Sequence, residues 1–125
     1  GYAGDPADKQ GLAALTAALL TEGAGELESD AFHRACEDYA ISISSYVDAD
    51  DLWVRMTTLS AQAGRAVELL ALALSQPRMD TARMIEMKAQ FDALRRRRQE
   101  SPDYLASRAL ASMVYPSHPH AQQSD

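Results

Sequence analysis

The hydrophobic period changes in the middle of the chain, and this change limits the fold more than any other feature of the sequence. Apolar side chains recur at every second position in two short stretches, which is the period of a β-strand. The residues between the stretches, D-A-D-D at 48–51, are polar and suit a turn. We predict strands over residues 41–47 and 52–59 that pair as an antiparallel hairpin. In the first strand, one face carries Ile41, Ile43, Ser45 and Val47, and the other carries Ser42, Ser44 and Tyr46. In the second strand, one face carries Leu52, Val54 and Met56, and the other carries Trp53, Arg55 and Thr57.

The sequence on both sides of this hairpin has the helical period of 3.6 residues. Capping residues mark the predicted helix starts, and glycine or proline marks the stops. The N-cap candidates are Asp5, Ser29, Asp80 and Ser101, and the stops are Gly23, Gly25 and Pro77. These signals predict helices over residues 6–22, 29–39, 62–76, 80–100 and 101–115.

Each predicted helix carries an apolar stripe that we expect to face a core. In chain order the stripes are Leu12, Leu15, Leu19 and Leu20; Phe32, Ala35, Cys36 and Tyr39; Ala66, Leu69, Leu70, Ala73 and Leu74; Met84, Met87, Phe91 and Leu94; and Leu105, Ala109 and Met113.

The predicted order is α-α-β-β-α-α-α, which is an α+β fold with helices packed on a small antiparallel sheet. We assign residues 1–115 to one domain and residues 116–125 to a polar tail, which we expect to be mobile. A hairpin of two strands is marginally stable alone, and helices cannot close its edges. We therefore expect an incomplete fragment of a larger domain, with further strands supplied by missing sequence or by another chain. The start without methionine agrees with this expectation.

The charge of the chain argues against nucleic acid as a partner. The formal net charge is −6, whereas binding to phosphates needs a basic surface. Four arginines at residues 95–98 spread around a helix and do not form one patch. We expect Arg96 to pair with Asp92 and Glu100, four residues away on either side. No run of 18 apolar residues is present, so we expect no membrane span.

The single cysteine, Cys36, cannot form an internal disulfide and leaves the redox compartment open. Its place in an apolar stripe indicates a small core residue. A catalytic thiol is the weaker alternative, because His33 is the nearest base and no third group orients it.

Several segments in order resemble one protein family. The segment D-P-A-D-K-Q-G-L-A at residues 5–13, followed by a helix and Glu22, is similar to the opening of the pitrilysin/insulinase metallopeptidases. In active members this opening leads into an inverted zinc motif, H-x-x-E-H. Further likeness lies in Y-A-I-S-I-S-S at 39–45, A-V-E-L-L at 66–70, Q-P-R at 76–78 and Y-P-S-H-P at 115–119. The resemblance covers nearly the whole chain and implies a metallopeptidase-like half-domain.

The resemblance also implies where a zinc site would lie. In the family, two histidines and a later glutamate bind zinc, and the glutamate between the histidines activates water. These positions fall on Ala14, Ala17 and Ala18, with the later glutamate near Ala93. None of the four can bind metal or move a proton, so we predict no catalytic residue, no metal and no cofactor. Glu22 lies one turn past the motif, and Glu86 lies about two turns before the later position. None of these residues replaces the missing ligands, since the three histidines share no ligand spacing: His33, His118 and His120.

The resemblance implies a catalytically inactive subunit or domain of this family. Such a chain supports a zinc-bearing partner subunit and helps to hold the peptide substrate in the assembled complex. Similar bacterial proteins are exported, so the implied compartment is the periplasm. The alternative is a non-enzymatic helical structural or interaction module with only architectural likeness to the family. An active protease with a zinc site built elsewhere is disfavoured, because convergent ligands are absent from the sequence.

Overall fold

A computed structural model describes residues 1–116 and residue 118. It contains five α-helices and four β-strands in these residues, with short 3₁₀ turns at Tyr2–Gly4 and Ser60–Gln62. The helices are α1 (Leu12–Leu19), α2 (Ser29–Glu37), α3 (Ala63–Ser75), α4 (Thr81–Gln99) and α5 (Pro102–Val114). The strands are β1 (Gly23–Ala24), β2 (Leu27–Glu28), β3 (Ser42–Val47) and β4 (Leu52–Thr57). The predicted α+β class is confirmed.

The predicted central hairpin forms between β3 and β4, which pair antiparallel from Ser42 with Thr57 to Val47 with Leu52. Its turn is closed by the Asp48 carboxylate, which accepts hydrogen bonds from the backbone N–H groups of Asp50 and Asp51 and from the Trp53 indole. The hydrogen bond from the Asp51 N–H has the largest effect on the pKa of Asp48, and the bond from the Trp53 indole has the next largest. Both lower this pKa below its ordinary value. Tyr46 and Trp53 stack on the outer face, with ring centroids 6.2 Å apart.

The core lies between α2, α3 and the inner face of this hairpin. Phe32 and Cys36 from α2 meet Ala66, Leu69 and Ala73 from α3, and all five are buried. Ile41 and Ala24 complete the buried cluster, and Ile43 and Met56 pack against it. Phe32 and Leu69 are the largest fully buried side chains in the described residues. The helical stripes predicted for α2 and α3 are therefore confirmed at their centres, while Tyr39 and Leu74 at their ends are exposed.

A second hairpin, which the sequence did not predict, lies between α1 and α2. Strands β1 and β2 pair Gly23 with Glu28 and Ala24 with Leu27. Gly25, with φ 55°, opens the two-residue turn, where type II′ turns take glycine. The prediction that Gly23 and Gly25 end the first helix is thus wrong. That helix ends at Leu19, and both glycines belong to the hairpin: Gly25 lies in its turn, and Gly23 begins β1 with φ 115°.

The segment after α3 adds a further connection to β1. Pro77 ends the helical run as predicted, and it also forms an antiparallel bridge with Ala24. Proline has no N–H to donate, so its neighbours make the bonds. The Gly25 N–H donates to the Gln76 carbonyl, and the Arg78 N–H donates to the Gly23 carbonyl.

The first helix is shorter than predicted and begins at Leu12 instead of residue 6. Asp5 still caps it, but from a distance in sequence. One carboxylate oxygen accepts from the Gly11 N–H at 2.9 Å, and the other from the Ala13 N–H at 3.0 Å. Gly11 takes φ 91° at the N-cap, which a residue with a side chain rarely adopts. The residues before it form turns, in which the Lys9 N–H donates to the Pro6 carbonyl at 2.8 Å.

The last two helices pack against little within the described residues. No residue of α4 or α5 is buried. The prediction that Leu105, Ala109 and Met113 face inward is wrong, since Leu105 is 50% and Met113 is 79% exposed. The cause is that α5 makes its main contact with α4 only. The predicted pairing of Arg96 with Asp92 and Glu100 is absent among the described residues.

None of the helices in the described residues combines the length and the apolar character needed to cross a membrane. Of the predicted tail at residues 116–125, only Pro116 and His118 belong to the described residues.

Candidate functional site

A groove lies where α1, β3 and the C-terminal half of α4 meet. Its volume is about 320 Å³. The three alanines that the sequence singled out lie together on its α1 wall. The lining residues are Ala14, Ala17 and Ala18 from α1, Ser45, Tyr46 and Val47 from β3, and Phe91, Leu94 and Arg98 from α4.

A hydrogen bond fixes the distance between two walls of this groove. The Ser45 hydroxyl on β3 donates to the Ala17 carbonyl on α1 at 2.6 Å. Ala17 itself is buried, at 2% exposure. The Ala17 carbonyl also accepts a hydrogen bond from the Leu20 N–H at 3.1 Å, so the Ser45 hydroxyl is its second donor at the C-terminal end of α1.

The walls of the groove are largely apolar and carry one charged side chain. None of the lining side chains is a histidine, cysteine or carboxylate, and Arg98 is the charged lining residue. Across residues 1–116 and residue 118, no group of three or more His, Cys, Asp or Glu side chains could hold a metal ion. The residues present therefore do not fit zinc, which needs convergent nitrogen, sulfur or carboxylate ligands.

The fourth position assigned from the sequence, Ala93, does not line this groove. It lines a separate hollow with Gln90, Leu94 and Arg97 on another side of α4. Leu94, one residue later, reaches both hollows, because successive residues on a helix point about 100° apart. The residues of α4 that line the groove with the three alanines are thus Phe91, Leu94 and Arg98.

A polar cluster lies beside the C-terminal end of α1 and is centred on Glu22. The Glu22 carboxylate accepts a hydrogen bond from the Ser29 hydroxyl at 2.7 Å and from Arg83 Nε at 2.9 Å. A terminal nitrogen of Arg83 donates to the same oxygen. The Glu22 side chain is only 13% exposed, and this burial raises its pKa. The hydrogen bonds from Ser29 and Arg83 and the Arg83 charge outweigh burial, so the pKa of Glu22 is lowered overall.

This cluster corrects the role that the sequence suggested for Ser29. Ser29 is not the N-cap of α2, because the helix begins at Ser29 and its hydroxyl is committed to Glu22. Glu86 pairs with Arg83 at 2.7 Å on the surface of α4. Both carboxylates are therefore held by an arginine, which leaves them as structural groups.

His33, His118 and Cys36 do not line the groove. His33 is 3.8 Å from Glu22 and half exposed, whereas His118 lies 6.1 Å from the Tyr115 ring. His120 lies outside the described residues. Cys36 is buried in the core, and this burial raises the pKa of its thiol, with a smaller contribution from Glu37. A raised pKa disfavours the reactive thiolate, as expected for a core cysteine.

Sequence reasoning missed two residues of these sites, Arg98 and Arg83. Arg98 falls on the same helical face as Phe91 and Leu94, at spacings of seven and four residues, and this periodicity could have identified it. Arg83 gave no such signal, because its partner lies 61 residues away in the sequence.

Comparison with known proteins connects this arrangement with one family. The sequence matches the family described as insulinase (peptidase family M16) over residues 1–123. It is similar to the non-peptidase homolog YmxG of Helicobacter pylori, with 29% identity over 111 residues, which cover 89% of this chain and 26% of that protein. The fold is similar to the crystal structure of a peptidase M16 inactive domain from Pseudomonas fluorescens. That similarity has a TM-score of 0.82 at 27% identity, and it covers 89% of this chain and 27% of the other.

The chain therefore spans about a quarter of the length of the relatives that it matches. The likeness is carried by sequence as well as by architecture, since the family match extends over nearly all residues. The alternative of purely architectural likeness is thereby excluded.

Proposed function

The chain belongs to the insulinase family, peptidase family M16, and on this premise we propose that it is part of a non-catalytic subunit supporting proteolysis by a zinc-bearing relative. Its contribution is to enclose and position the peptide, while the relative supplies the metal and the general base. Holding a substrate in a reactive geometry lowers the barrier without acid or base chemistry.

One observation carries this proposal: the groove keeps its framework while its walls lack reactive groups. Helix α1 retains its cap at Asp5, its buried Ala17 and its bond to Ser45, so it is held firmly against β3. On the groove side it presents the methyl groups of Ala14 and Ala18. A scaffold that is retained without ligands suits a role in binding better than one in bond cleavage.

The two named relatives support the non-catalytic reading, because their descriptions call one a non-peptidase homolog and the other an inactive domain. The exposed apolar side chains of α4 and α5 suit a chain that is covered by further protein in its assembled state. The periplasm is proposed as the compartment by resemblance to exported bacterial members.

The test is to purify the intact natural protein alone and together with a zinc-bearing insulinase-family protein from the same organism. We expect the intact protein alone to contain no stoichiometric zinc and to cleave no peptide. We expect the pair to elute as one complex and to hydrolyse peptides faster than the zinc-bearing protein alone, with loss of activity on chelation.

Two outcomes would contradict the proposal. Chelator-sensitive hydrolysis by the intact protein alone would show that it is itself a peptidase. If no complex forms and the partner's rate is unchanged, the supporting role is wrong. A zinc-bearing protein with its water-activating glutamate replaced by glutamine is the matched control, because the complex should still form without hydrolysis.

A further inference from the structure

The two oxygens of the Glu22 carboxylate face different donors. Oε2 accepts its hydrogen bonds from the Ser29 hydroxyl and from two nitrogens of Arg83. Oε1 accepts none from the described residues, and it lies 3.8 Å from Nε2 of His33. The charge beside Oε2 is permanent, because a guanidinium stays protonated, whereas a histidine is charged only after it takes up a proton. The environment of Oε1 therefore depends on pH.

The two basic side chains reach Glu22 from different elements. Arg83 belongs to α4 and His33 belongs to α2, while Glu22 follows α1. Arg83 approaches Glu22 through Nε and one terminal nitrogen, and its other terminal nitrogen donates to Glu86 at 2.7 Å. A protonated His33 offsets the charge of Glu22 and also repels Arg83. Protonation of His33 therefore weakens the attraction that holds Arg83 in place.

Other charged groups surround the cluster. Helix α2 places two of them near His33 in sequence: Arg34 and Glu37. Further charged side chains line the hollow beside Ser29 and Arg83: Glu28, Asp30, Arg78 and Asp80. Of these, Arg78 and Asp80 pair with each other at 2.8 Å. Carboxylates ordinarily change charge near pH 4 and histidine between about pH 5 and 8, so a histidine is what makes such a cluster respond near neutral pH.

Helix α4 is the element that the contact with Glu22 holds. None of its residues is buried, whereas α2 and α3 share the core. Its main contacts are with α1 and with α5. Because few apolar side chains hold α4, the pair of Arg83 with Glu22 makes up a large part of its attachment. Loss of this pair can free α4 while the core stays folded.

We propose that Glu22 and Arg83 form a latch for α4, and that His33 releases this latch when it takes up a proton. At neutral pH the Glu22 carboxylate has Arg83 as its cation and α4 stays docked on α1. At mildly acidic pH, His33 competes for the same carboxylate and α4 detaches more often. Since α4 forms one wall of the groove, acidification loosens the groove. This inference goes beyond the supporting role proposed above, because it requires neither a partner subunit nor a peptide.

The test is hydrogen exchange of the α4 amide groups, measured by mass spectrometry on the intact protein at about pH 5.5 and about pH 7.5. Each variant is compared with the wild type at the same pH, so that the intrinsic exchange rate cancels. At the lower pH we expect α4 of the wild type to exchange about two- to fivefold faster than α4 of His33→Gln. At the higher pH the two rates should agree. The factor is modest because the His33 side chain is 44% exposed and solvent screens its charge.

Two further variants isolate the latch. His118→Gln removes a histidine that lies beside Tyr115, and it should leave α4 exchange at the wild-type rate at both pH values. Arg83→Gln should speed α4 exchange at both pH values. In the Arg83→Gln background, His33→Gln should have no further effect on α4, because no guanidinium remains to compete with. His33 is half exposed, so its substitution should not prevent folding, and circular dichroism verifies this.

The sign of the effect decides the proposal. If α4 of the wild type exchanges more slowly than α4 of His33→Gln at the lower pH, the histidine merely stabilises the fold. A difference of the same size at both pH values comes from the side chain and not from its charge. Equal rates at both pH values, or the same effect in His118→Gln, also overturn the proposal. None of these measurements involves a zinc-bearing relative, so the two proposals fail separately.

Discussion

Arg83 on α4 donates hydrogen bonds from two nitrogens to a single oxygen of Glu22, a residue 61 positions earlier in the chain. Glu22 follows α1 directly, so this pair joins the two helices that form opposite walls of the groove. Helix α4 has no buried residue, and the pair is therefore a specific polar contact in an otherwise loosely packed interface. The groove owes its shape in part to this contact.

Removing the arginine should loosen the groove. Arg83→Gln leaves the largely buried Glu22 carboxylate without its charged donor, which we expect to cost about 1–3 kcal/mol in the free energy of unfolding. Urea denaturation of the intact protein measures it. The control is Arg65→Gln, which breaks an exposed pair with Glu68 on α3 and should cost under about 0.5 kcal/mol. Equal losses from the two substitutions would contradict the special role of Arg83.

The same pair should make stability depend on pH. The folded pKa of Glu22 lies below its ordinary value of 4.5, so its contribution is present above about pH 4.5 and is lost as the pH falls through the folded pKa. Glu22→Gln cannot titrate, and it should be less stable than the wild type near neutral pH. The difference should shrink on acidification below pH 4.5. A difference that grows under acidic conditions would mean that the pKa is raised instead.

The hydroxyl of Ser45 offers a test of the contact between α1 and β3. Ser45→Ala removes its bond to the Ala17 carbonyl, and we expect a loss of about 1 kcal/mol in thermal or urea unfolding. Ser44→Ala is the matched control. Ser44 is the adjacent residue of the same strand and points to the exposed face, so its loss should stay within about 0.5 kcal/mol. Equal stability of the two variants would contradict the prediction.

Two leucines on α3 test the placement of the core. Leu69 is 2% exposed, whereas Leu74 is 51% exposed on the same helix. Leu69→Ala should cost about 2–5 kcal/mol, because it leaves a cavity that the neighbours fill only in part. Leu74→Ala should cost less than about 1 kcal/mol. A large loss for Leu74 would show that further protein covers this end of α3.

The orientation of α4 can be tested by building the ligands that the resemblance implies. Ala14→His, Ala17→Glu and Ala18→His place the metallopeptidase motif on α1, and the fourth ligand then depends on α4. We expect Leu94→Glu added to these three to give stoichiometric zinc after dialysis, because Leu94 faces the groove. Ala93→Glu in the same background should bind zinc weakly, since Ala93 faces another hollow. The reverse order of affinities would contradict this orientation of α4.

Local pattern predicted the elements of this fold well where each depended on neighbours in sequence. The alternation around Ile43 identified β3 and its inner face, and the stripes through Phe32 and Leu69 identified the core of α2 and α3. Predictions were wrong where a residue had two possible uses. Gly25 suits a helix stop and a hairpin turn equally well, and Asp5 can cap a helix next to it or one several residues later.

The groove likewise combines features that the sequence predicted with features that it did not. The resemblance placed Ala14, Ala17 and Ala18 on one side of α1, and the structure brings all three to one cavity. Ala93 does not line this cavity, whereas its neighbour Leu94 does, because successive residues on a helix point about 100° apart.

The sequence by itself determined the existence of the five helices and the central hairpin, the buried faces of α2, α3 and β3, and the family to which the chain belongs, because each of these is encoded in residues that are close together or in order along the chain. Only the tertiary structure decided that Glu22 binds Arg83, that Ser45 binds the Ala17 carbonyl, and that Arg98 lines the groove. The physical reason is that a polar side chain has no period of its own. Its partner is chosen by how distant segments come together, and that arrangement depends on the packing of the whole chain.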